Sequence, residues 1–214
     1  MMTAELFDAD AGVQALVPGA LLLRGFALAH EDVVVAALSL VVADAPLRHM
    51  TTPGGFRMSV AMTNCGVLGW VSDTSGYRYD SRDPDSGQPW PAMPAAFTEL
   101  ATSAAARAGF DGFVPDACLV NRYDPGARLT LHQDRNERDF DAPIVSLSLG
   151  LPALFLFGGT RRAERPLRLP LRHGDVVVWG GPARLRYHGV AAVRAGHHPR
   201  IGAHRINLTF RKAG

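Results

Sequence analysis

ACLVNRYDPGARLTLHQD, residues 117–134, reads as two short β-type runs, ACLVNRY and RLTLHQD, separated by an Asp-Pro-Gly turn. Downstream, PIVSLSLG, ALFLFGG, PLRLPLR, DVVVWGG, ARLRYHG and HRINLTFR repeat that texture, with Gly, Pro and Asp between the runs. This spacing predicts an all-β sandwich or barrel from residue 115 onward.

Upstream the texture is helical. HEDVVVAALSLVVAD, residues 30–44, opens with Glu31 and Asp32, which suit a helix N-terminus, and stops before Pro46. PAAFTELATSAAARA, residues 94–108, predicts a second helix, with Pro94 in its first turn and Gly109 as its stop. The segment between them, rich in Gly, Thr, Ser and aromatic residues, has room for a hairpin and loops. The expected class is α+β, mainly β, in one domain over 1–214. Its expected parts are an N-terminal helical extension at 1–50, a lid at 51–93, and a helix with the β core at 94–214.

The chain has 214 residues, 47% of them hydrophobic, enough for a substantial core. Of its 22 basic residues 21 are arginine, Lys212 being the one lysine, and the net charge is +2. Arginine pairs with phosphates and carboxylates and stacks on bases, so a nucleic-acid partner is permitted; a GC-rich coding sequence gives the same bias. Cys65 and Cys118 form no CxxC pair, the acidic MMTAELFDADAG is unlike an export signal, and the run VVVAALSLVVA at 33–43 is too short for a bilayer. The expectation is a cytoplasmic monomer with no membrane partner.

Within RLTLHQD, strand alternation would project His132 and Asp134 together. With His188 from RLRYHG they make two histidines and one carboxylate, the set that holds Fe(II) and leaves positions open. His197, His198 and His204 look like an exposed loop; His30, His49 and His173 are assigned surface, loop and cap roles. In RINLTFR, Arg205, Asn207, Thr209 and Arg211 share one face while Ile206, Leu208 and Phe210 share the other. Two inward arginines need an anion, either neighbouring carboxylates or a dicarboxylate ligand. A dicarboxylate that also chelates iron is 2-oxoglutarate, which leaves one position for O2. Asn121 and Tyr123 share a face of ACLVNRY and either contact this cosubstrate or are ordinary strand polarity.

HQD, YHG and RINLTFR, together with TPGGFRMSVAMTNCGVLGW, QPWPAMP, PIVSLSLGLPALFLFGG and HGDVVVWGG, resemble the Fe(II)- and 2-oxoglutarate-dependent dioxygenases. Among these the chain looks most like the bacterial AlkB group. The likeness covers nearly the whole chain except its first residues and the loop around 160–166. It implies a jelly-roll double-stranded β-helix under a nucleotide-recognition lid. The implied activity is oxidative removal of methyl groups from bases such as 1-methyladenine and 3-methylcytosine in DNA repair. The implied partner is alkylated single- or double-stranded DNA, or RNA. Residue by residue, it implies His132, Asp134 and His188 as iron ligands, and Asn121, Tyr123, Arg205, Asn207 and Arg211 as 2-oxoglutarate contacts. It further implies Trp70, Tyr77 and Arg162 near the damaged nucleotide. RRAERPLRLPLR, residues 161–172, offers five arginines for phosphates or, equally, the solvent face of a strand.

One position departs from the pattern. The residue two after Asp134, which meets the target base, is acidic in the group; here it is Asn136. A carboxamide contributes no charge, so weaker preference for cationic lesions is expected. Glu137 is the neighbouring acid, turned the other way if strand geometry continues. Two other functions fit the same residues: an Fe(II)/2-oxoglutarate hydroxylase of a protein side chain or small molecule, and a noncatalytic jelly-roll binding module.

Overall fold

The computed structural model describes residues 12–214; the export-signal reading of the first residues lies outside them. The strands are β1 (Val13–Val17), β2 (Ala20–Leu23), β3 (Arg48–Thr51), β4 (Arg57–Gly66), β5 (Gly69–Asp73), β6 (Gly76–Asp80), β7 (Ala117–Tyr123), β8 (Leu129–His132), β9 (Ile144–Gly150), β10 (Ala153–Phe157), β11 (Leu167–Leu171), β12 (Val176–Trp179), β13 (His188–Val190) and β14 (Arg205–Arg211). Two α-helices accompany them, α1 (Glu31–Asp44) and α2 (Ala95–Arg107).

An eight-stranded antiparallel sheet runs β1-β2-β12-β9-β14-β7-β4-β3, and a four-stranded sheet runs β11-β10-β13-β8. Strands β5 and β6 form a separate hairpin. One buried cluster fills the space between the two large sheets, with Leu22, Ile144, Phe157, Leu171, Trp179 and Val190 among its members. A second joins the outer face of the eight-stranded sheet to the helices, through Val34, Leu38 and Val41 of α1 and Phe97, Leu100 and Ala104 of α2. This is a jelly roll with a helical layer on one side, mainly β as expected.

Strand β14 shows how sequence alternation builds both layers. Ile206, Leu208 and Phe210 join the helix-side core, and Phe210 meets Phe97 edge-on at 5.9 Å. The alternate residues Arg205, Asn207, Thr209 and Arg211 are therefore turned inward, and all seven residues are buried. In register, Arg205 lies opposite Tyr123 and Asn207 opposite Asn121.

The helices fall where composition placed them. Glu31 and Asp32 occupy the first turn of α1. Pro94 stands at the N-cap of α2, one residue before the expected first turn, and Gly109 follows the helix end with a φ of 84° that favours glycine.

Several expectations are corrected. The expected N-terminal helical extension at 1–50 also holds the β1–β2 hairpin, which extends the large sheet beside β12. Its short apolar runs, QALV and ALLL, were hidden beside the stronger helix pattern. Within the lid segment, β4 is a core strand paired along β7. His49 lies in β3 rather than a loop, with Nδ1 2.8 Å from the Met58 carbonyl. ARLRYHG passes from the end of a 3-10 helix at Ala183 through a turn and irregular backbone before His188, and β8 ends at His132, so Asp134 follows the strand instead of belonging to it.

Candidate metal and cosubstrate site

His132 ends β8 and His188 begins β13, and the two residues are direct partners in the antiparallel register. Their rings lie 4.4 Å apart. Gly189 makes this approach possible, because a Cβ there would meet the Leu129 carbonyl oxygen at 2.6 Å. The glycine after the second histidine is thus a packing requirement of the site.

Asp134 reaches the pair from the irregular segment beyond β8. Its Oδ1 is 3.6 Å from His132 Nε2 and its Oδ2 is 3.6 Å from His188 Nε2. The possible ligand atoms of the three residues lie within 4.8 Å of one another. His132 Nδ1 faces the Thr130 carbonyl at 2.9 Å and His188 Nδ1 faces the Arg186 carbonyl at 3.1 Å. A carbonyl oxygen only accepts, so each Nδ1 carries its proton and each Nε2 lone pair is free for a metal.

What holds Asp134 is a set of arginines. Arg211 donates from Nε and Nη2 to Asp134 Oδ2 at 2.9 and 2.7 Å, and Arg184 donates from Nη1 to the Asp134 backbone carbonyl at 2.8 Å. Burial works against the carboxylate, but Arg211 and the two histidines outweigh it and hold Asp134 well below the usual carboxylate range. Burial, with His132 nearby, pushes His188 down to about 4, so it is neutral and ligand-competent near pH 7.

Behind the triad, donors face an interior with no partner. Arg205 is 1% exposed and donates from Nη2 to Ser148 Oγ at 2.9 Å, while its Nε and Nη1 are buried without hydrogen bonds. Its guanidinium lies 5.0 Å from the Tyr123 ring centroid, and burial lowers its pKa. Arg211 Nη1 and Asn121 Oδ1 are buried and unpartnered too. Orphaned guanidinium donors at this depth demand an anion. Together with a two-histidine, one-carboxylate set, they fit Fe(II) and a chelating dicarboxylate.

A cavity of about 550 Å³ has His132, Asp134, His188, Asn121, Tyr123 and Arg211 on its wall. Asn207 and Thr209 line it as well, but the Asn207 amide is committed to Ser146 Oγ and the Leu147 carbonyl, both at 2.8 Å, and Thr209 donates to its oxygen. Arg205 does not line the cavity; it stands beside the Tyr123 ring. Sequence reasoning missed Ser146, Ser148, Asn64 and Arg184. The i, i+2 serines of IVSLSLG were a readable sign of a polar inward face.

The β5–β6 hairpin borders the same cavity. Trp70 and Tyr77 stack at 5.6 Å with planes 16° apart, and both line the cavity with Asn136 and Arg162. Buried Asn64 fixes the Trp70 backbone by accepting from its N–H and donating to its carbonyl, each at 3.0 Å. Trp70 Nε1 donates to Asn136 Oδ1 at 3.5 Å. Glu137 is turned away from the cavity and buried, as strand geometry would have it although the strand has ended.

A jelly roll carrying this triad beside buried arginine donors that lack partners defines an iron- and dicarboxylate-using oxygenase. The chain belongs to the 2OG-Fe(II) oxygenase superfamily, whose family model matches residues 19–211. It is 53% identical over 210 residues to the alpha-ketoglutarate-dependent dioxygenase AlkB of Salmonella typhimurium, covering 98% of this chain and 97% of that one. It is 33% identical over 174 residues to the DNA N(6)-methyladenine demethylase ALKBH1C of Arabidopsis thaliana, covering 69% of this chain and 38% of that protein. The solved structure of OsALKBH1 superposes with a TM-score of 0.82 at 28% identity, covering 94% of this chain and 99% of that one. The chain is an Fe(II)- and 2-oxoglutarate-dependent dioxygenase that uses O2. No helix among the described residues is long and apolar enough to cross a membrane.

Proposed function

We propose that this dioxygenase demethylates alkylated bases of nucleic acid, with 1-methyladenine and 3-methylcytosine in DNA as its repair substrates. The observation that carries the reading is the Trp70–Tyr77 stack on the wall of the cavity that contains the triad. A base methylated on its pairing edge is unpaired and cationic, hence cheap to flip out, and flat aromatic faces favour a cationic ring. The relatives named AlkB and DNA N(6)-methyladenine demethylase support the same substrate class.

In this reading His132, Asp134 and His188 hold the iron, and Arg205, Arg211, Asn121 and Tyr123 orient 2-oxoglutarate, with Asn207 bracing the wall. Bound iron supplies activation of O2. The balance is methyl base, O2 and 2-oxoglutarate giving restored base, formaldehyde, succinate and CO2. One oxygen atom enters the methyl C–H bond, and the hydroxymethyl base then sheds formaldehyde. Trp70 and Tyr77 hold the base, Asn136 offers its amide to it, and Arg162 faces the phosphates. Single strands need no unpairing and are the easier substrate, with RNA a second one. The protein acts as a cytoplasmic monomer, and the free, buried Cys65 and Cys118 agree with a reducing compartment.

The test is incubation with Fe(II), ascorbate, 2-oxoglutarate and a methylated single-stranded oligonucleotide, followed by mass spectrometry. Loss of the methyl mass with matching succinate is expected. Succinate without demethylation of DNA or RNA would point to a protein or small-molecule substrate, and absence of both iron binding and succinate to a binding module.

A further inference from the structure

Glu137 lies three residues from Asp134, yet its side chain is 1% exposed and does not line the cavity. Its carboxylate accepts a hydrogen bond from the Tyr79 hydroxyl at 2.6 Å. It also lies 3.2 Å from Arg184 Nη2 and 3.4 Å from Arg211 Nε. Each of those arginines holds Asp134 as well, Arg184 through the backbone carbonyl and Arg211 through the side chain. Two buried carboxylates and two buried guanidiniums thus form a neutral quartet, which offsets part of the desolvation cost each charge would suffer alone.

Tyr79 ties this quartet to the hairpin. It is the direct cross-strand partner of Trp70 in β5–β6, so both project from one face, toward the 132–137 segment. Among the described residues, this phenol bond and the longer Trp70–Asn136 bond are the hydrogen bonds from the hairpin to the segment that carries Asp134. A two-stranded hairpin has little stability of its own; Asn64, the Ser72–Thr51 bond and the Trp90–Asp80 bond anchor it elsewhere, and the buried 2.6 Å bond to a carboxylate fixes the face turned to the 132–137 segment.

We propose that Glu137 is a positioning residue that serves both ligands of the enzyme. With Asp134 it fixes the Arg211 guanidinium so that Nη1 is left for the cosubstrate, and through Tyr79 it fastens the hairpin that receives the base. The proposal rests on the function proposed above for its account of the hairpin, and it makes Glu137 a support rather than a base contact.

The test compares wild type with Glu137→Gln and Tyr79→Phe. Binding of 2-oxoglutarate to the Fe(II)-loaded protein under nitrogen is read by tryptophan fluorescence, and the hairpin by amide exchange at residues 76–80. Glu137→Gln still offers Tyr79 an acceptor but loses the charge facing Arg211, so 2-oxoglutarate should bind about tenfold more weakly. Tyr79→Phe should leave that affinity unchanged, speed exchange at 76–80 about tenfold, and raise the oligonucleotide KM with kcat retained. If Glu137→Gln does not fold, Glu137→Asp keeps the charge one methylene further off and should show a loss of about threefold.

Unchanged 2-oxoglutarate affinity in the Glu137 variant, or unchanged exchange in Tyr79→Phe, overturns the proposal. Both readouts work without nucleic acid, so a failure of the demethylation assay would leave them standing.

Discussion

Arg211 places two donors on one oxygen of Asp134, at 2.9 and 2.7 Å, although Asp134 is also the carboxylate of the metal triad. One residue therefore serves as ligand and as countercharge. This separates the triad members by their structural weight, because His132 is a third exposed while Asp134 is nearly enclosed.

Removing Asp134 takes two hydrogen bonds from the buried Arg211 guanidinium and leaves Glu137 as its remaining carboxylate, with one buried positive charge of the four-charge cluster uncompensated. Asp134→Ala is expected to destabilise the metal-free protein by about 3–5 kcal/mol, whereas His132→Ala should stay under about 1 kcal/mol. Both variants should lose iron binding and turnover. Urea denaturation without metal checks this, and equal midpoints for the two variants would contradict it.

Gly189 gives a second, independent handle on the triad. A methyl group there has to displace β8, since the Leu129 carbonyl stands 2.6 Å from the added carbon. Gly189→Ala should widen the His132–His188 approach and weaken Fe(II) binding by about tenfold or more, without touching any ligand. An iron titration followed by succinate yield decides it.

Asn136 should set the balance between cationic and neutral lesions. Its amide oxygen receives the Trp70 indole N–H, and its side chain is solvent-exposed beside the cavity. Asn136→Asp adds a charge in a screened position, worth about 1 kcal/mol, or a fivefold gain for 1-methyladenine over neutral 1-methylguanine. Competition between the two oligonucleotides measures the ratio, and no change in it would remove the idea.

Legibility followed physical range. The β14 alternation and both helices were readable because each is a local pattern imposed by one buried face, as Ile206, Leu208 and Phe210 show. The metal residues are legible by type, but strand alternation does not bring them together, because β8 ends at His132. His132 and Asp134 meet because Arg184 and Arg211, 50 and 77 residues away, draw Asp134 inward after the strand has ended. Contacts of that separation leave no local trace. The β1–β2 hairpin was missed for a related reason: Leu22 and Leu23 are buried by β12, and four-residue runs have no period of their own.

The last prediction concerns acid. His173 Nδ1 accepts the Gly150 N–H at 2.9 Å, so its proton sits on Nε2, 3.1 Å from Glu31 at the start of α1. Burial, and then His198 stacked on it at 4.2 Å, lower its pKa below the ordinary 6.5, against the opposing pull of Glu31. The folded state therefore binds this proton less readily than the unfolded chain. The stability contributed by neutral His173 is full above pH 6.5 and falls as the pH drops below it toward the folded-state pKa. Protonation of Nδ1 also removes the acceptor that Gly150 uses. His173→Asn keeps an acceptor near the Nδ1 position and cannot titrate, so its Tm should fall less than that of wild type between about pH 7 and 5. His204, whose pKa burial also lowers, slopes both proteins in the same direction, and the difference between the two slopes isolates His173. Parallel Tm curves for wild type and variant would show that this histidine carries none of the acid sensitivity.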